Sequence, residues 1–495
     1  MQRRAHPVRR ACFREPTVTS VVRLLLSEWA GEEDSGGTGT CASAIGSMSA
    51  GAEEQRWCRL GPRSRGAAVK DRDRDTHGRA MLAGLLSASH LMPLELLSAK
   101  TAEHAAQVGF TQVLIYVADL QGDVMRLLSG EAADTAAAAG EETELKIEGT
   151  VAGRAFQYGQ VLAGADPGEG GGYWWVPLVD GTDRLGVLRI TTPLDDPRAA
   201  EDMKLLAALV ALIIDSKRRS SDFHARLTRT RPLNIAAEMQ WHLMPPPTYA
   251  DGRVMISAAM EPAYEISGDA YDYATAGAVV HLSLIDAMGH DTAAGLTANL
   301  AMGACRNARR GGAGLVETSE RVEEVLIEQY RRGRYATGIL ADLDTRNGVF
   351  TWVNRGHHPP VIIRGGRWST LLDCPPCHPM GTDLGLPIRL CRHQLEPGDR
   401  IVLYSDGITE ARRTPNEEFG LDRFIDFLIR HHADGLPVPE TLRRLIHAVL
   451  EHHDGHLQDD ATVLLCEWLG PTRRPTERAA ALAGVPRTAN RTEQR

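Results

Sequence analysis

Three textures follow one another along the chain. Between residues 1 and about 80 the apolar positions keep neither a helical nor a strand period, in stretches such as GEEDSGGTGT and VKDRDRDTHGR, which predicts a disordered leader. From Leu91 the pattern becomes regular. PLELLSAKTAEHAAQ spaces its apolar residues for a helix, and TQVLIYVADL reads as a strand closed by a Gln121-Gly122 turn. The glycine-centred IEGTVAGRAFQYGQVL follows, then YWWVPLV, a DGTD turn and GVLRITTPL, and finally the helical AAEDMKLLAALVALIIDSKRR. These elements predict a compact α+β unit over residues 91–217.

Residues 218–247 predict a helical connector. Ile235, Met239 and Leu243 recur at four-residue spacing, Pro232 should break or restart the helix, and the three prolines from Pro245 stop it. From Val254 short strands alternate: VMISAAM, AVVHLSLID, TGILADLD, GVFTWVN, PVIIR and RIVLYSD. Helical periodicity appears at 291–309, 320–332, 421–431 and 439–453. Antiparallel strands with segregated helices predict a layered α+β domain over 250–468, and residues 469–495 read as a disordered tail.

Composition narrows the functional classes. A net charge of -9 argues against a chain that wraps nucleic acid. No stretch reaches the roughly 18 apolar residues of a membrane helix, and the opening MQRRAHPVRR lacks the apolar region of an export signal, so a cytoplasmic protein is expected. Met48 and Met81 both precede better-organised sequence and are alternative starts. Eight scattered cysteines do not make a disulfide framework and read as ordinary loop thiols of a reducing compartment. Cys374-Pro-Pro-Cys377-His378 matches a haem-attachment pattern, and with Cys391 and His393 a zinc site, but both patterns are short and prone to chance matches.

Four aspartates stand at strand ends beside small residues: Asp269 in ISGDAYD, Asp286 in SLIDAMGH, Asp406 in LYSDGITE and Asp459 in LQDDATVLL. A carboxylate abutting a buried strand is costly unless a cation or hydrogen bonds neutralise it. An isolated aspartate in such a place is more often a cap or turn residue; four together point to a shared polyvalent centre. Hard oxygen ligands without a matching set of His and Cys favour Mg²⁺ or Mn²⁺ over zinc. Two such ions about 4 Å apart can activate a water and neutralise phosphoryl oxygens, with no protein nucleophile.

These aspartates resemble the metal-dependent PPM phosphatases (protein phosphatase type 2C), specifically their bacterial SpoIIE-like branch. The resemblance covers 235–467 and includes AAEMQWHLMP, VNRGHHPPVIIR and LEPGDRIVLYSDGITEAR. It implies two antiparallel sheets packed as a sandwich with flanking helices. It also implies that Asp269 bridges two Mn²⁺ or Mg²⁺ ions, that Asp286 and the Ala287 carbonyl serve the first, and that Asp406 and Asp459 hold the second. Asp460, Gly268, Gly289 and Gly407 would support them, and His290 is not expected to be a ligand. Ser267 and Asp291 stand where the branch often has glycine. The 91–217 unit resembles a GAF domain, which implies a small-molecule signal and flanking helices that pair two copies. The implied activity is a protein serine/threonine phosphatase acting on a phosphorylated STAS-domain antagonist of an anti-sigma factor. The alternative is an inactive phosphatase fold that sequesters a partner.

Overall fold

The computed structural model describes residues 63–128, 142–164, 172–193, 197–262, 264–265, 268–414, 417–434, 436–453, 457 and 459–472. The expected leader as far as residue 62, the tail from 473 and Ser267 lie outside the described residues. From residue 68 onward the described residues form one compact unit.

Its first part contains helices α1 (Arg63–Ser89) and α2 (Leu97–Ala105), strands β1 (Gln112–Ala118), β2 (Val124–Leu127) and β3 (Glu144–Lys146), then α3 (Val151–Tyr158). Strands β4 (Leu162–Ala163), β5 (Tyr173–Asp180) and β6 (Asp183–Thr191) and helix α4 (Pro197–Arg218) complete it. The six strands make one antiparallel sheet in the order β3-β2-β1-β6-β5-β4, so the GVLRI segment lies in a central strand. Alternation along β1 and β6 sends Ile115 and Leu188 to one face and Tyr116 and Val187 to the other. The first face packs Leu206, Val210 and Ile214 of α4; the second packs Phe156 of α3. Met81 and Leu85 of α1, with no exposed surface, join the first core, ahead of Leu91 where order was expected to begin. Helix α1 thus starts inside the segment read as leader.

The connector is two helices, α5 (Asp222–Thr228) and α6 (Ile235–Leu243), broken around Pro232 as its ring requires. Ser221 caps α5 by accepting from His224 N at 3.2 Å, and Asn234 caps α6 by accepting from Ala237 N at 2.6 Å. The buried face of α6 is not the Ile235/Met239/Leu243 stripe. Ile235 is 69% exposed, whereas Ala236, Ala237 and Gln240 are buried, because small side chains let the helix sit close to its neighbour.

The remaining chain builds two antiparallel sheets. Strands β7 (Thr248–Ala250), β8 (Val254–Glu261), β9 (Asp269–Ala276) and β10 (Val279–Ala287) precede helices α7 (Thr292–Arg310) and α8 (Leu315–Tyr330). Then come β11 (Ala336–Asp344), β12 (Val349–Arg355), β13 (Val361–Arg364), β14 (Trp368–Leu371), β15 (Cys391–Gln394) and β16 (Arg400–Tyr404). The short α9 (Asp406–Thr409), the hairpin β17 (Arg412–Thr414) and β18 (Glu417–Glu418), α10 (Leu421–Ala433), α11 (Val438–His452) and β19 (Ala461–Trp468) follow. The sheets run β15-β12-β11-β10-β9 and β14-β13-β16-β19-β8-β7. One core joins Leu282, Ile339 and Trp352 of the first sheet to Ile256, Ile401 and Leu464 of the second, and takes in Met302 of α7 and Leu326 of α8. On the second sheet's other side Val402, Val463 and Leu465 meet Phe424 of α10 and Leu445 of α11. Covered on both faces, β19 is buried at every position, which is why its sequence reads as an apolar run without alternation.

This is the expected sandwich with flanking helices. The cysteines depart from expectation: Cys374 and Cys391, 17 residues apart, form a disulfide, which takes Cys374 out of the haem pattern and both out of the zinc pattern. Cys377 is free and buried.

Candidate metal centre

The aspartates converge because strand ends do. Asp269 opens β9 and faces Asp286 as its cross-strand partner on β10. Asp406 opens α9 directly after β16, while Asp459 and Asp460 precede β19, the neighbour of β16 in the second sheet. Burial, and next the charges of Asp286 and Asp460, hold the Asp269 carboxyl well above the usual carboxylate range. Asp286 is pushed up to about 7 by burial and then by Asp406, Asp459 and Asp460. Asp459 lies largely at the surface, yet partial burial of its carboxyl raises it, with Asp406 adding to the shift and His290 opposing it. Five carboxylates therefore share one acidic patch, and His290 borders it.

Two features of the backbone bear on what this patch can hold. A Cβ at Gly268 would stand 2.7 Å from the Ala287 carbonyl oxygen and 2.8 Å from that of Gly289, so only glycine leaves these oxygens clear. Gly289 has φ +92°, the left-handed region that a turn after β10 uses. A Cβ at Gly407 would stand 2.1 Å from the Asp460 carbonyl oxygen, so glycine is needed for α9 to approach β19. The buried Asp269 Oδ2 has no hydrogen-bond partner. Among the described residues no group of three or more His, Cys, Asp and Glu side chains is gathered closely enough to hold a metal ion. An orphaned buried carboxylate oxygen, mutually repelling aspartates and unobstructed carbonyls nonetheless fit a hard divalent cation in donor type and charge.

Asp460 has a distinct place. Its Oδ2 accepts from the backbone N–H groups of Gly268 at 2.6 Å and Asp269 at 3.2 Å, fixing the start of β9 against the start of β19. Ser405, fully buried, donates to the Asp460 carbonyl at 3.1 Å and accepts from Thr462 N at 2.8 Å. Asp291, in place of a turn glycine, caps α7 by accepting from Ala294 N at 2.8 Å and pairs with Arg334 at 3.2 Å. Its departure from the family pattern thus has a structural use.

Several positioning residues carried no role in the sequence reading. Gln240 of α6 donates to the Asp269 carbonyl at 2.9 Å, joining the connector to the patch. Thr337 of β11 lies opposite Asp286, with Oγ1 3.5 Å from Asp286 Oδ2 and 2.9 Å from His357 Nδ1. The other ring nitrogen, Nε2, lies 3.2 Å from the Tyr404 carbonyl, which can only accept. The proton therefore sits on Nε2, and Nδ1 accepts from Thr337. Burial, followed by the neighbouring His358, lowers His357 to about 4, so the ring is neutral. Arg355, fully buried, donates to the His378 carbonyl at 3.0 Å and to Ser319 Oγ at 3.1 Å and pairs with Glu323, which locks β12 to α8. Gln240, Arg355 and His357 lay inside the stretches that carried the family resemblance, but residue type alone gave no partner. His393 sits on the edge strand β15, whereas His378 lies in the segment between β14 and β15.

Comparison with known proteins gives consistent matches. Residues 276–469 match the family described as Stage II sporulation protein E (SpoIIE). Phosphoserine phosphatase RsbU of Bacillus subtilis (strain 168) is 24% identical over 238 residues, covering 47% of this chain and 69% of that protein. Protein IcfG of Synechocystis sp. (strain ATCC 27184 / PCC 6803 / Kazusa) is 26% identical over 132 residues, 26% of this chain and 20% of that protein. The solved RsbU and RsbW domains of a Mycobacterium tuberculosis protein align with TM-score 0.41 and 23% identity, covering 46% of this chain and 64% of that one.

Proposed function

We propose, from the premise that residues 276–469 are a protein serine/threonine phosphatase domain of the SpoIIE/PP2C family close to the RsbU type, that the chain removes phosphate from a phosphorylated signalling protein with the help of divalent cations. The observation that carries this reading is the facing pair Asp269 and Asp286, one with an orphaned buried oxygen and both raised by burial first and by neighbouring aspartates second.

In this reading Asp269, Asp286 and the Ala287 carbonyl would hold one ion, and Asp406 and Asp459 the other, with Asp269 shared. When bound, Mn²⁺ or Mg²⁺ would lower the pKa of a water and offset negative charge on the phosphoryl group. The chain's own residues do the positioning. Asp460 holds the Gly268 and Asp269 backbone, Thr337 and neutral His357 stand behind Asp286, and Gly268 and Gly407 leave room for carbonyls. The substrate would be a phosphoserine or phosphothreonine of a STAS-domain anti-sigma-factor antagonist, in keeping with the phosphoserine phosphatase named among the relatives. The GAF-like unit would bias the site through the connector, whose Gln240 already touches the Asp269 carbonyl.

The test is phosphate release from a phosphoserine STAS protein by the full chain with Mn²⁺, with Mg²⁺ and with EDTA, beside Asp406→Ala. Release that needs metal and falls by at least about 100-fold in Asp406→Ala is expected. No release under any metal from folded protein, with several phosphoproteins tried, would refute the enzyme and leave a binding module.

A further inference from the structure

Away from the acidic patch, the first unit, the connector and the phosphatase domain line a half-open cavity of about 500 Å³. Its walls include apolar Val117, Leu185, Leu233, Trp241, Met244 and Ile446. A volume of this size suits a small organic molecule.

The polar groups in these walls are unevenly satisfied. Arg218 pairs with Asp183 and Asp215, Arg229 with Glu238, and Arg443 with Glu440 and Glu148. Arg184, at the start of β6, is different: its Nε and Nη2 are buried without a hydrogen-bond partner, although the charges of Glu440 and Asp183 favour its cationic form. Desolvation lowers it to about 10, so it stays charged at neutral pH, while burial and Arg218 depress His224 to about 4 and leave that ring neutral. The hydroxyls of Thr248 and Ser257 also lack partners, and these residues face each other across β7 and β8. Asp119 Oδ2 is a fourth orphan, although Asp119 Oδ1 accepts from Asp123 N at 2.8 Å and Val124 N at 3.1 Å. Buried groups of this kind are normally bonded, and an unpaired guanidinium edge is the costliest among them.

We propose that this cavity binds a small organic anion carrying a carboxylate or phosphate group, with Arg184 holding the anionic end and the Thr248 and Ser257 hydroxyls and Asp119 reading a polar substituent. The site draws on β1 and β6, the connector, and β7, β8 and α11 together. A ligand there touches both functional parts of the chain at once, with Phe156 of α3 in the same wall. The inference stands whether or not the patch proves to be a phosphatase centre.

The experiment is isothermal titration of the full chain in EDTA with 4-hydroxybenzoate and with 4-hydroxyphenylphosphonate, and with neutral 4-hydroxybenzamide as control. Saturable binding of one or both anions is expected, weakened about tenfold or more by Arg184→Gln, and absent for the amide. Preference between the two anions tells carboxylate from phosphate recognition. If Arg184→Gln does not melt as a folded protein, Thr248→Val combined with Ser257→Ala serves instead, with a smaller loss expected. Neither anion saturating by about 10 mM, equal binding of the amide, or affinity unchanged in these folded variants would overturn the site and leave a water-filled seam.

Discussion

Gly407 illustrates how little room the acidic patch leaves. A methyl group there would overlap the Asp460 carbonyl, backbone that cannot swing aside as a side chain can. Gly407→Ala is expected to destabilise the fold by about 1–3 kcal/mol and to cut phosphate release up to about 100-fold, read by denaturant melts and initial rates. An unchanged melt and rate would mean that α9 yields freely. His224 makes a second prediction at this scale. Its folded pKa is lowered from 6.5 to about 4, by burial first and Arg218 second. Between those values the unfolded chain holds a proton that the folded chain refuses, so this stability is complete above 6.5 and is lost as pH falls toward 4. His224→Gln should shrink the difference in unfolding free energy between pH 7 and pH 5 on the order of 1 kcal/mol, and an undiminished difference would place the acid sensitivity elsewhere.

Among the elements, the two strands that deliver Asp406 and Asp459 are tied by a buried ion pair. Arg400 of β16 and Glu467 of β19 are cross-strand partners, 2.8 Å apart and almost without exposed surface. Breaking such a pair leaves a charge stranded in the core, so Glu467→Gln should cost about 3–5 kcal/mol, while Arg400→Met with Glu467→Leu should recover most of the loss. Chemical denaturation of the two variants beside the unmodified chain decides it; a double variant as weak as the single one would contradict the account. The longer elements of the second domain were legible from period alone. Helix α7 was expected at 291–309 and runs Thr292–Arg310, since its apolar positions repeat cleanly. Helix α6 was located but its buried face was not, because alanines and a glutamine carry a weaker apolar signal than Ile235 and Leu243. The placement of the four aspartates at or beside strand ends was legible from their small neighbours. Thr337, His357 and Gln240 were not, since their roles depend on partners as far as 51 residues away in sequence. The Cys374 disulfide stayed hidden because spacing does not report distance in space.

At the scale of the whole molecule, Arg443 of α11 joins the phosphatase domain to the first unit. Its guanidinium pairs with Glu148, donates to the Gly122 carbonyl at 3.2 Å, and also holds Glu440. Gln121 reaches Glu261 at 3.1 Å and His447 reaches Asp123 at 3.3 Å across the same seam. Arg443→Ala should loosen this contact, and limited proteolysis should then cut the connector between residues 218 and 247 several-fold faster. Equal cleavage rates would mean that apolar packing alone holds the seam.

The strand order carries a further consequence. Strand β19 lies in the interior of its sheet, between β16 and β8, although it is the last strand among the described residues. During synthesis β8 has no partner on that side until some 200 later residues have left the ribosome, an interval given by the positions of Val254 and Ala461. A nascent chain stopped before Asp459 lacks both the seam of the sheet and the carboxylates of Asp459 and Asp460. Shortened products should therefore be degraded rather than accumulate as partly active enzyme, so the cell meets this domain either complete or not at all.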